Sequence, residues 1–223
     1  MNALPKPGEP RVFADVDELH TALLDMEPKS FVSRYILEPV PFAFSGDLQL
    51  WIDWKETLAV LLYIDAYDIV MTGSASMGYS LNPMKSFKAF DNLSDIDCGV
   101  ISEHYFNVAW RHLRQSQVAW LGYPKKLRTA LTSHRTQYIF DGTIATDRIM
   151  SILPFGRDWQ GALEIMSEVP PTVGRDVKLR IYKDFDALRH YQSRNVEALR
   201  NNLSPEDDAE IIVAEDPAEE AVV

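Results

Sequence analysis

An α+β fold, built on a small mixed sheet flanked by helices and carrying a helical insert, is predicted by three observations. A long amphipathic segment, Gly46 to Tyr63, precedes the first apolar strand. Two short stretches, Asp95 to Ile101 and Asp176 to Lys183, alternate as strands do. Between them lies a long, mostly helical region, so the order runs helix, strand, strand, helical insert, strand, helix.

Each element has its own signal. Residues 1–13, with Pro5, Pro7 and Pro10, read as an extended arm. Asp15 followed by Glu18 forms a capping pattern that opens a helix to about Met26. Ser30 to Leu37 reads as a second short helix, broken by Pro39 and Pro41. In the long helix that follows, Leu48, Trp51, Ile52, Leu58, Leu61 and Leu62 are available for burial. Asp68 to Met71 is a short strand ending at Thr72-Gly73-Ser74, and residues 75–94 form a helical turn and then a loop. Ser102 starts a helix carrying Phe106, Trp110 and Leu113. Residues 118–168 read as mostly helical, with breaks at Pro124 and Pro154. Asp184 to Arg200 reads as the closing helix.

Composition narrows the class. The chain has 223 residues and is 46% hydrophobic, enough for one domain with a real core over residues 1–200. Its single cysteine, Cys98, precludes a disulfide within the chain and points to a reducing, cytoplasmic setting. No apolar run approaches the ~20 residues that span a bilayer, so no membrane partner is expected. The net charge is −11, but eight of the acids follow Arg200 without a single base, leaving −3 for residues 1–200. Residues 201–223 therefore read as a disordered acidic tail.

The chemistry-bearing residues cluster around the first two strands. Gly73 allows close backbone approach to a phosphate, and Ser74 at a helix start offers a hydroxyl and amide donors. On a strand alternate side chains share a face, so Asp95 and Asp97 point together while Ile96, Cys98 and Val100 enter the core. Two such carboxylates repel one another, and Mg²⁺ (or Mn²⁺), which favours carboxylate and phosphate oxygens, removes that conflict.

A strand ending in Gly73-Ser74, followed by Asp95-Ile96-Asp97 on its neighbour, resembles the DNA polymerase β-type nucleotidyltransferase superfamily. Within it the resemblance is to small stand-alone bacterial proteins, many associated with toxin–antitoxin or phage-defence loci. The resemblance covers residues 68–102, about a sixth of the chain. It implies transfer of a nucleotidyl group from a nucleoside triphosphate to a hydroxyl acceptor, with Gly73 and Ser74 positioning the triphosphate and Asp95 and Asp97 as catalytic metal ligands. The gap from Ser74 to Asp95 is wider than is usual in that superfamily.

The resemblance also implies a third carboxylate on a later strand. Asp176 and Asp184 are the candidates, ahead of Asp141 and Asp147 in their helical context, and Asp184 is carried forward as the catalytic one. They share a strand face with Lys178, Arg180 and Tyr182, so Arg180 stands where an acid is expected and is assigned to the nucleotide. Lys85, in the insert, is a further nucleotide-binding candidate. His134, like the other histidines, shows no metal-ligand spacing and reads as structural. The competing reading is a catalytically weak module of the same fold that acts by binding a partner protein.

Overall fold

The computed structural model describes residues 13–203, apart from the side chain of Pro83. The N-terminal arm lies almost wholly outside that range. Residues 201–203, expected to open the acidic tail, belong to the closing helix, which runs to Leu203; the rest of the expected tail, residues 204–223, lies outside the described residues.

The chain is α+β, as the periodicities require. In order come α1 (Val16–Asp25), α2 (Pro28–Val32), α3 (Leu48–Leu62), β1 (Ile69–Thr72), α4 (Gly73–Met77), β2 (Ile96–Ile101), α5 (Glu103–Gln115) and α6 (Lys125–Ser133). Then follow β3 (Thr143–Ala145), α7 (Thr146–Ile149), α8 (Gly156–Met166), β4 (Val177–Tyr182) and α9 (Phe185–Leu203). Helix starts sit where side-chain caps put them. Asp15 accepts from the Glu18 amide, Asp47 from Leu50 and Ser102 from Tyr105.

The four strands form one mixed sheet in the order β1-β2-β4-β3. β1 runs antiparallel to β2, with Thr72 opposite Asp97. β4 runs parallel to β2, pairing Asp97 with Lys178 and Gly99 with Arg180. β3 closes the far edge antiparallel to β4, with Ala145 opposite Arg180. This edge strand lies inside the segment that the sequence presents as helical. It is three residues long and buried throughout, so it offers no alternation by which to recognise it.

The period of two divides the sheet into an apolar and a polar face. Ile69, Met71, Ile96, Cys98, Val100, Ile144, Leu179 and Ile181 bury into one core with Trp54 and Leu58 of α3, Phe106 of α5 and Trp159 of α8. The Trp54 indole donates to Thr172 Oγ1 at 3.0 Å, which satisfies its one polar atom inside that core. On the opposite face, α9 covers only the C-terminal ends of the parallel pair, where Leu188 packs on Ile101 and Tyr182. A second small core joins α1, α2 and α9 through Leu19, Leu23, Phe31, Val32, Val196 and Leu199. The N-terminal ends of β2 and β4 are left uncovered on this face, and the polar residues gather there.

Candidate functional site

The uncovered end of the sheet floors a cleft of about 430 Å³. Gly73, Ser74, Asp95, Asp97, Arg180 and Lys85, all singled out from the sequence, line it together. Asp184 does not join them. It is exposed at the far end of β4 and accepts from the Ala187 amide at 2.8 Å, capping α9. Asp176, the alternative third acid, is also exposed and does not line the cleft.

Gly73 stands at the turn from β1 into α4 with φ of +62°, a conformation that L side chains rarely adopt. A Cβ there would meet Oδ2 of Asp97 at 2.7 Å. The absence of a side chain at Gly73 thus keeps one carboxylate oxygen of Asp97 approachable. Thr72 fixes the same strand from the other side, its hydroxyl donating to the Asp97 carbonyl at 3.2 Å. The Asp97 carboxyl is held above its ordinary range by burial and then by the charge of Asp95, against the opposing pull of Lys178, Arg180 and Lys85.

The neighbouring strand answers the carboxylate pair with cations. Lys178, level with Asp97, places its ammonium 2.5 Å from Asp95 Oδ2. Burial alone would lower the Lys178 ammonium. The hydrogen bond that Lys178 donates to Asp95 and the charges of Asp95, Asp97 and Asp147 outweigh it and raise the group above its ordinary value. One row further along, the Arg180 guanidinium lies 4.6 Å from the Tyr191 ring centre and 5.2 Å from that of Tyr138.

The insert between Ser74 and Asp95 forms the rim. The Ser80 amide donates to Lys88, and the Phe90 amide to Gly78, folding residues 78–90 back on themselves. Arg175 anchors the base of this loop by donating to the Asp91 and Ser94 carbonyls at 2.6 and 2.8 Å. Lys85 and Lys88 are thereby carried to the cleft edge, and Lys88 also pairs with Asp91 at 3.0 Å. Arg148 and Arg194 complete the lining, which holds six cationic side chains and three carboxylates, those of Asp95, Asp97 and Asp147. In a chain of net charge −11 this is a local excess of positive charge.

A divalent ion has a partial fit here. Asp95 and Asp97 share a face, and Oδ2 of Asp97 opens toward the space left by Gly73. Asp95, however, already contacts Lys178. Among the described residues no group of three His, Cys, Asp or Glu side chains could hold a metal ion. The donor set suits one ion completed by phosphate and water oxygens, not a pair of ions clamped by three carboxylates.

Compared with family models, with curated proteins and with solved structures, the chain matches none.

Several cleft residues escape sequence reasoning. Lys178 shares its strand face with Arg180, and the parallel pairing of β4 with β2 is what brings it to Asp95. Arg148 arrives on α7 because β3 precedes it, beside Asp147, which the sequence offers only as a less favoured third acid, and Tyr191 and Arg194 arrive on α9, which packs against β2 and β4. Cys98, next to Asp97 on β2 but turned into the core, is inert: burial and then the charge of Asp97 push its thiol far above the ordinary range.

Proposed function

We propose that this cleft binds the triphosphate of a nucleoside triphosphate and transfers its nucleotidyl group to a hydroxyl acceptor. The acceptor belongs to a protein, a nucleic acid or a second nucleotide. The observation that carries the reading is the excess of cations over carboxylates in one cleft, beside a glycine turn that leaves Asp97 open. A triphosphate supplies the complementary negative charge.

In this reading Gly73 and Ser74 receive the phosphates at the turn, and Lys85 and Arg180 neutralise them, with Arg194, which also pairs with Asp141 at 2.8 Å, at the same cleft. The acceptor hydroxyl gives up its proton to solvent water as its oxygen attacks the α-phosphorus, the bond from that phosphorus to the bridging oxygen breaks, and pyrophosphate leaves. Asp95 and Asp97 would hold Mg²⁺ or Mn²⁺, which when bound supplies further neutralisation of phosphate charge. The side chains contribute position and electrostatics. We read the setting as cytoplasmic, and a role in bacterial defence or a toxin–antitoxin pair is what the resemblance suggests. Among the described residues no helix is long and apolar enough to cross a membrane.

A second reading, a catalytically weak module that works by binding a partner protein, is favoured by Lys178, a cation on the strand where a third acid is expected. Incubation with labelled nucleoside triphosphates, Mg²⁺ or Mn²⁺ and candidate acceptors separates the two. Pyrophosphate release with a labelled product that Asp95→Ala abolishes supports transfer. Binding of nucleotide without turnover supports the module, and no binding of any nucleotide removes the transfer reading.

A further inference from the structure

The Lys178 ammonium occupies the position that a cation bound to Asp95 would take. It sits on the strand hydrogen-bonded to β2, level with Asp97, and contacts Asp95 Oδ2 at 2.5 Å. Asp97, its partner across the strands, and Asp147 line the same cleft. Lys178 and Asp95 are both partly exposed, so ions from solvent reach the pair. A monovalent charge fixed there partly satisfies the carboxylates and repels an incoming divalent ion.

We infer that Lys178 is a built-in competitor for the divalent ion: it holds the Asp95–Asp97 pair in the free protein, so that a metal ion enters with a polyphosphate and not alone. A bound triphosphate offers Lys178 alternative oxygens and gives the ion additional ligands. The two cations then no longer compete for the same carboxylate oxygen. The inference rests on reading Asp95 and Asp97 as the metal-ligating pair.

The test is Mn²⁺ binding to the nucleotide-free protein, followed by electron paramagnetic resonance, with Lys178→Met and Lys178→Arg beside the wild type. Met keeps most of the aliphatic stem of a partly exposed side chain, and thermal melts establish that the variants fold. The wild type binds Mn²⁺ weakly, Lys178→Met gains about tenfold or more, and Lys178→Arg stays near the wild type. Equal affinity in wild type and Lys178→Met overturns the inference, as does an equal gain in Lys178→Arg. So does a gain that survives Asp95→Asn with Asp97→Asn in the Lys178→Met background, because the ion then binds elsewhere. A separate titration of the wild type with ATP and GTP in chelator keeps the functional reading distinct. If nucleotide fails to bind while Lys178→Met still gains Mn²⁺ affinity, the nucleotide reading falls and the competition stands.

Discussion

Gly73 stands so close to Asp97 that a Cβ on the glycine would meet the carboxylate oxygen Oδ2 at 2.7 Å. The turn and the carboxylate are therefore one unit. Gly73→Ala adds strain at φ of +62° and pushes Asp97 from its place. We expect a stability loss of about 1–3 kcal/mol by denaturant unfolding and at least a tenfold loss of nucleotide affinity. Gly122→Ala is the control. A Cβ there meets nothing within 4 Å, and the substitution leaves both measurements unchanged.

Asp97 is a site where function and stability pull apart. Burial, and then Asp95, raise its carboxyl above the ordinary carboxylate range, so ionising it costs more in the folded chain than in the unfolded one. Asp97→Asn removes that charge at nearly constant volume. The variant should melt at or above the wild-type temperature while nucleotidyl transfer falls by about two orders of magnitude or more. A variant that loses stability and activity together would mark Asp97 as a structural residue.

The sequence made the centre of the site legible because its residues act through local rules. Gly73-Ser74 is a turn, and the period of two turns Asp97 to the cleft, while Asp95, one residue ahead of β2 and not its first residue as expected, lines the same cleft. What stayed hidden depends on which strands become neighbours. Lys178 meets Asp95 only because β4 inserts between β2 and β3, and β3 is too short and too uniformly buried to announce itself. Asp184 is a different case, since its signal was present. An acid immediately before a helix is a cap, the same pattern that Asp15 and Asp47 follow at α1 and α3.

Arg180 contributes a planar cation held between two aromatic rings, and this arrangement is testable by substitution. Lysine preserves its charge but neither the planar guanidinium nor its stacking against Tyr138 and Tyr191. Arg180→Lys should therefore weaken triphosphate binding by a few-fold. Arg180→Gln, which also loses the charge, should weaken it by roughly tenfold to a hundredfold, about 1.4 kcal/mol per factor of ten. Calorimetric titration at two ionic strengths checks the cause. The wild-type affinity falls more steeply with salt than that of Arg180→Gln, and parallel slopes would remove Arg180 from the phosphate site.

His134 ties α6 to the edge strand β3 and makes the fold sensitive to acid. Its Nδ1–H donates to the Ala130 carbonyl at 2.7 Å, and its Nε2 accepts from the Ala145 amide at 3.1 Å. Only the neutral ring can do both, because a proton on Nε2 would face the Ala145 N–H. Burial, opposed by the Ala130 bond and reinforced by the charges of Arg180 and Arg148, lowers this imidazole to about 4. The unfolded chain takes up the proton near the ordinary value of 6.5, so between pH 6.5 and 4 the unfolded state binds more protons than the folded one. The stability from His134 is complete above pH 6.5 and declines as the pH falls through this window, by roughly 3 kcal/mol in total at 1.36 kcal/mol per unit. His134→Asn cannot titrate. It should be less stable than the wild type at pH 7, yet lose less stability between pH 7 and pH 4.5. Parallel wild-type and variant curves in urea unfolding across that range would show that His134 is not the proton acceptor.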